Sequence, residues 1–285
     1  MFNTKTILAS LALVAGLAFG AAPQAAEGGA AIEKQSWSFA GIFGTYDQNQ
    51  LQRGFQVFRE VCASCHGARL MAFRNLSESG GPGFSEEQVK ALAAEYEVAD
   101  PTVEGGVRPA VPADRWPSPF GSEQETRESF GGLYPPDFSV LAKARGVTDP
   151  FPFWIFNYFT GYSEGGPDYI HALLTGYHDE VPATAPEGFE LADGQYYNDY
   201  FPGHAIGMAP PLADGSVTYE VGEGETAVPE TLEQYSTDVA AFMMWVAEPG
   251  LVSRKETGFK VLLFLVLFAG LMYATKRRIW QGIEH

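Results

Sequence analysis

The sequence predicts a mainly α chain: one head of short helices and long loops, followed by a single C-terminal transmembrane helix. Three observations carry this expectation. Leu51, Phe55, Phe58 and Cys62 recur at helical spacing, and Leu232, Tyr235, Val239, Phe242 and Trp245 form a second apolar stripe of the same period. The 32 glycines and 19 prolines among 285 residues leave segments such as 79–136 and 181–229 to loops and turns. Residues 258–275 form a hydrophobic segment, uninterrupted over 261–274, at the lower edge of the length needed to cross a bilayer.

In chain order, Lys5 followed by an apolar run over residues 7–20 and small residues over 21–26 reads as an export signal, with cleavage expected after Ala26. Asp47 is the expected N-cap of the helix that carries Leu51, Phe55 and Phe58 into Cys62. Shorter helices are expected over 86–96, 138–145 and 169–175, and a longer one over 232–247, where Glu248-Pro249-Gly250 stops it. Lys276, Arg277 and Arg278 directly follow the hydrophobic segment and, by the positive-inside rule, place the tail in the cytoplasm and the head outside. The expected organisation is a signal over 1–26, a periplasmic head over 27–250, an anchor over 251–275 in the inner membrane, and a cytoplasmic tail over 276–285.

Residues 27–250 contain 33 Asp and Glu against 11 Lys and Arg, a net charge near −22. A head this acidic repels nucleic acid and anionic lipid and attracts a basic partner in a salt-dependent way. The plain alternative is solubility alone; the candidate acidic patches are Glu95, Glu97, Asp100 and Glu104, then Glu123, Glu125 and Glu128, then Glu220, Glu223 and Glu225.

The chemistry is concentrated in Cys62-Ala63-Ser64-Cys65-His66. Cys-x-x-Cys-His spaces two thiols to add to haem vinyl groups while the following imidazole binds iron, as in c-type cytochromes. These are the only cysteines, so one haem is the ceiling and no thiol remains for a disulfide or a zinc site. The competing reading, a thiol oxidoreductase, expects a strand before the motif, and none is signalled. His66 supplies one axial ligand. For the opposite side, Met1 and Met272 lie in the targeting and membrane segments, Met71 is too near His66, and Met243 and Met244 sit in the second amphipathic helix. Met208, in Gly207-Met208-Ala209-Pro210-Pro211, remains as the expected ligand, with His204 as runner-up and a core-filling methionine as the plain alternative.

One family carries these pieces in the same order. Arg53-Gly54-Phe55-Gln56-Val57-Phe58 before the cysteine motif, Pro135-Pro136-Asp137-Phe138-Ser139 with Lys143-Ala144-Arg145, and Gly165-Gly166-Pro167-Asp168-Tyr169-Ile170 are similar to segments of cytochrome c1. So are Tyr196-Tyr197-Asn198, Phe201-Pro202-Gly203, the Met208 loop, Asp238-Val239, Glu248-Pro249 and the single anchor with its basic tail. The resemblance implies an electron-carrier subunit, not an enzyme on its own, of the cytochrome bc1 complex, ubiquinol:cytochrome c oxidoreductase. Its partners would be cytochrome b, the Rieske iron-sulfur protein as electron donor and a basic cytochrome c as acceptor. It also implies one haem c attached through Cys62 and Cys65, iron held by His66 and Met208, and Arg145 facing a haem propionate. The loop before Pro135 lacks the asparagine usual in the family, so no haem contact is carried onto Phe130 or Gly131. The aromatic residues within 146–162 are expected to form a hydrophobic lining under a long loop, with a cover over the haem or a contact to another subunit as the alternatives. Two further readings keep the haem but change its use: an anchored monohaem donor to a terminal oxidase, and a gas-binding module.

Overall fold

The computed structural model describes residues 32–145, 165–219 and 227–282. The expected signal segment, the aromatic residues of 146–162, the acids Glu220, Glu223 and Glu225, and His285 lie outside the described residues.

The core is a crossing of two helices. Helix α1 (Gln48–Glu60) begins at Asp47, whose carboxylate accepts from the Gln50 amide at 2.8 Å, as an N-cap should. Helix α6 (Leu232–Ala247) begins at Thr231, whose hydroxyl caps Gln234. Both bury the apolar stripes expected of them, and Phe58, Phe242, Tyr235 and Trp245 are almost fully enclosed. Each such side chain removed from water contributes roughly 1.5–3 kcal/mol. The helices touch at Gly54, where a Cβ would lie 2.1 Å from the Asp238 carbonyl oxygen, so only glycine permits this approach. Beside it the fully buried Asp238 carboxylate accepts two bonds from Arg53 (2.8 and 3.0 Å), one from Tyr219 (3.0 Å) and one from Gln234 (3.0 Å). A buried carboxylate is tolerated only when its oxygens are satisfied in this way.

Around that crossing lie α2 (Glu86–Ala94), α3 (Glu123–Ser129), α4 (Leu141–Ala144) and α5 (Gly166–Thr175). Three 3-10 turns span Cys62–Ser64, Phe73–Ser77 and Phe138–Val140. Gly166 lets α5 start against α4, since a Cβ there would meet the Ala142 oxygen at 1.6 Å. Buried Asp168 ties the N-terminal segment to α5, accepting from the Trp37 indole at 2.7 Å and the Gln35 amide at 2.9 Å.

The segment 79–136 is more ordered than its composition suggests. It holds α2, an antiparallel pair β1 (Glu97–Ala99) and β2 (Val107–Pro109), and α3. A second small sheet joins β3 (Tyr177–His178), β4 (Tyr196–Asn198) and β5 (Ala205–Ile206) in order. Residues 138–145, expected as one helix, divide into the 3-10 turn and the short α4.

Helix α7 (Leu251–Ile279) is 29 residues long with a mean hydropathy of 1.9 over its most apolar window, none of which is buried against the head. At about 1.5 Å per residue it exceeds the ~30 Å hydrocarbon core. It therefore serves as a membrane anchor, and the helix continues through Lys276, Arg277 and Arg278, which form its last turn.

Candidate haem site

The Cys-x-x-Cys-His motif is placed by the end of α1. After Glu60 the chain tightens into the 3-10 turn, and the Cys62 carbonyl accepts from the amides of both Cys65 (3.1 Å) and His66 (2.9 Å), folding the motif back on itself. Cys62 is buried, Cys65 half-buried, and the two thiols are free. Burial, with Cys65 adding to it, pushes the Cys62 thiol up to about 12. A dithiol oxidoreductase calls for the opposite shift, a thiol lowered toward neutral pH. No strand precedes the motif among the described residues.

His66 is 8% exposed and its ring is held by two residues some 70 positions later, Pro136 and Phe138. Its Nδ1 lies 2.8 Å from the Pro136 carbonyl. A carbonyl can only accept, so Nδ1 carries the proton and Nε2 keeps its lone pair. Nε2 has no hydrogen-bond partner among the described residues. The ring stacks on Phe138 at 4.4 Å between centroids. Burial lowers the imidazole pKa, outweighing the Pro136 bond and the Asp137 charge, so the neutral form that binds metals is favoured. The turn after His66 is clamped in turn. Asp137 accepts from the Arg69 amide (3.0 Å) and the Ser139 amide (2.9 Å), Ser139 accepts from the Leu70 amide (2.9 Å), and the Phe138 amide donates to Gly67 (2.8 Å). Pro135-Pro136-Asp137-Phe138-Ser139 is thus the brace that orients the histidine, a role its local sequence does not signal because its contacts to His66 and the following turn are long-range.

Met208 is half-buried in an irregular loop. Its carbonyl accepts from the Tyr177 hydroxyl at 3.0 Å. Leu133 lies against Gly207, with its Cδ1 2.2 Å from where a Cβ would be, so the loops carrying Met208 and Pro136 meet through Leu133. Arg145 is exposed at the end of α4, and its guanidinium has no ion pair among the described residues. Its charge acts on Tyr169, whose pKa burial raises and Arg145 partly offsets. Tyr169 in turn is close enough to act on Tyr177, the tyrosine that holds the Met208 loop.

The other possible ligands are engaged elsewhere. His204 stacks on Tyr197, places Nδ1 3.1 Å from the Asn198 carbonyl, and has a φ of 59° in a tight turn. His178 pairs with Asp199 at 2.7 Å, and buried His171 lies against α6 with Nε2 3.0 Å from a Glu233 oxygen, without hydrogen-bond geometry. Met71, Met243 and Met244 are core residues.

Two free thiols, a buried imidazole with its distal nitrogen unpartnered, and a half-buried thioether loop fit a covalently attached haem. A family model described as the Cytochrome C1 family matches residues 37–283. The chain belongs to the cytochrome c1 family. It is 50% identical to cytochrome c1 of Blastochloris viridis over 97% of this chain and 96% of that one. Identity to cytochrome c1 of Rhodospirillum rubrum is 46%, over 98% of this chain and 100% of the other. A cytochrome b/c1 of Bradyrhizobium diazoefficiens is 51% identical over 86% of this chain, which spans only 35% of that longer protein. Members of this family are electron-carrying haem subunits of the bc1 complex, and membership brings one covalently bound haem c with it. It does not favour the terminal-oxidase donor or the gas-binding module.

The acidic groups are less free than the charge count implies. Glu95 pairs with Arg59, and Asp100 shares Arg108 with Asp114 at 2.7–2.9 Å. Glu123 pairs with Arg127 at 2.8 Å, and Glu125 accepts from the Gly121 amide. Glu97, Glu104 and Glu128 keep exposed carboxylates, Glu128 accepting only from Gln124.

Proposed function

We propose that this chain carries single electrons from a Rieske iron-sulfur protein to a basic cytochrome c, as the haem subunit of ubiquinol:cytochrome c oxidoreductase. The haem supplies a one-electron iron couple when bound. Cys62 and Cys65 would hold it through thioether bonds, and His66 and Met208 would ligate its iron. The observation that carries this reading is the Nδ1 bond to Pro136, which fixes the imidazole tautomer and leaves Nε2 to bind iron. A thioether opposite imidazole raises the potential of the couple, which suits acceptance from a high-potential Rieske centre. Arg145, exposed and without a carboxylate partner among the described residues, is the cation for a propionate.

The head over residues 27–250 is periplasmic, released by a signal ending at Ala26, and α7 crosses the inner membrane with its basic last turn on the cytoplasmic side. Cytochrome b is the expected membrane neighbour, a reading supported by the relative named cytochrome b/c1. Quinol oxidation then belongs to the neighbouring subunits, and this chain has no substrate chemistry of its own.

The test is chemical. Acid-acetone extraction of the denatured chain should leave the haem attached, and replacing Cys62 and Cys65 together by Ala should release it; haem lost from the unaltered chain overturns the assignment. Added salt should slow reduction of a basic cytochrome c by the holoprotein, because the interaction is screened within about 10 Å at 0.1 M. A rate independent of ionic strength removes electrostatic docking from the account.

A further inference from the structure

Residues 35–46 carry no Asp, Glu, Lys or Arg, although the head around them is strongly acidic. Within them Phe39-Ala40-Gly41-Ile42-Phe43-Gly44 is wholly apolar, and Phe43 is 76% exposed, the most exposed large hydrophobic residue described. Isolated apolar side chains on a surface need no explanation, but this one has a specific neighbour. Its ring packs edge-on against Phe259 at 5.4 Å between centroids. Phe259 lies eight residues into α7, about 12 Å along the helix, and two residues before the unbroken apolar run begins at Val261.

The loop is built to hold that position. Its turn closes through Ala40 N to Trp37 O (3.0 Å) and Thr45 N to Ser38 O (3.1 Å), so its ends make their own backbone hydrogen bonds. Gly41 has a φ of 72°, and Gly44 passes so near Ala40 that a Cβ would meet its oxygen at 2.0 Å. The Lys255 ammonium donates to the Phe39 carbonyl, fastening the loop to α7, while Phe39 stacks between Trp37 and Tyr46 in the core. The base of the loop is thus part of the head, and its tip lies at the depth where the anchor enters hydrocarbon.

We infer that the loop tip, led by Phe43, inserts into the outer interface of the lipid bilayer and gives the head a second membrane contact beside its anchor. A charge-free loop with an exposed aromatic tip enters the headgroup region without desolvating an ion. The inference rests on α7 crossing the bilayer.

Benzoylphenylalanine placed at 43 in the full-length chain, photolysed in native membranes with the holoprotein intact, tests it. The expected result is a mass shift of the chain by one phospholipid. Covalent haem content, measured on the same sample, guards against misfolding, and the same photoprobe at positions 264 and 266, on opposite faces of α7, serves as the control. Lipid adducts at 264 or 266 with none at 43, or with another polypeptide captured at 43, overturn the loop contact while the anchor stands. Absence of lipid adducts at all three positions removes the anchor and the inference together.

Discussion

The two sides of the site are built differently. His66 follows the end of a core helix, buried, stacked on Phe138 and tied to a segment that makes three further hydrogen bonds to its turn. Met208 sits half-exposed in an irregular loop, and the polar contact that holds it is the Tyr177 hydroxyl on its own carbonyl. The first side is fixed by folding of the head. The second has fewer constraints, so its chemistry responds more readily to single substitutions.

That contrast can be broken in order of size. Gly54→Val should have the largest effect, because its Cβ meets a backbone oxygen that cannot move without parting α1 from α6. Pyridine haemochrome assays should find almost no holoprotein, and normal haem content would show that the crossing does not position the motif. Met208→Leu should keep covalent haem and the fold but lower the midpoint potential by a few tenths of a volt, out of the ~0.8 V that axial ligands govern. A redox titration with an unchanged midpoint would move the ligand elsewhere.

Two smaller changes sharpen the comparison. Asp137→Ala removes the acceptor of two backbone amides and should cost about 2 kcal/mol, or roughly 4–8 °C in Tm, with little change in potential. Tyr177→Phe should cost only about 1 kcal/mol yet move the potential, because it loosens the Met208 loop. If calorimetry and redox titration gave the reverse pattern, the rigid and soft sides would be exchanged.

Much of the helical frame was legible because it depends on local periodicity and caps. The stripe from Leu232 to Trp245 and its stop at Glu248-Pro249 gave α6 with its observed ends, and Asp47 marked the start of α1. Helix α3 was missed because it has no apolar face: only Thr126 is buried in Glu123–Ser129. What signal it has lies in the Ser122 cap and the Glu123–Arg127 pair. The β1–β2 pairing was hidden behind a Gly-rich turn. Within the site, the cysteine motif announced its chemistry through spacing alone. Pro136 and Asp137 stood out only by family resemblance, because the imidazole they hold is about 70 residues away in sequence. The pairing of Glu95 with Arg59 was likewise out of reach of the sequence, because the two residues are 36 positions apart and meet only through the fold.

One joint has a mechanical consequence. Only Glu248-Pro249-Gly250 separates α6 from α7, Leu251 is buried, and Glu248 is gripped by Lys143 at 2.7 Å and by Arg254. A linker so short, with both of its ends immobilised, offers no pivot on which the head could swing over the bilayer. The head is therefore held at a fixed height and angle above its own anchor.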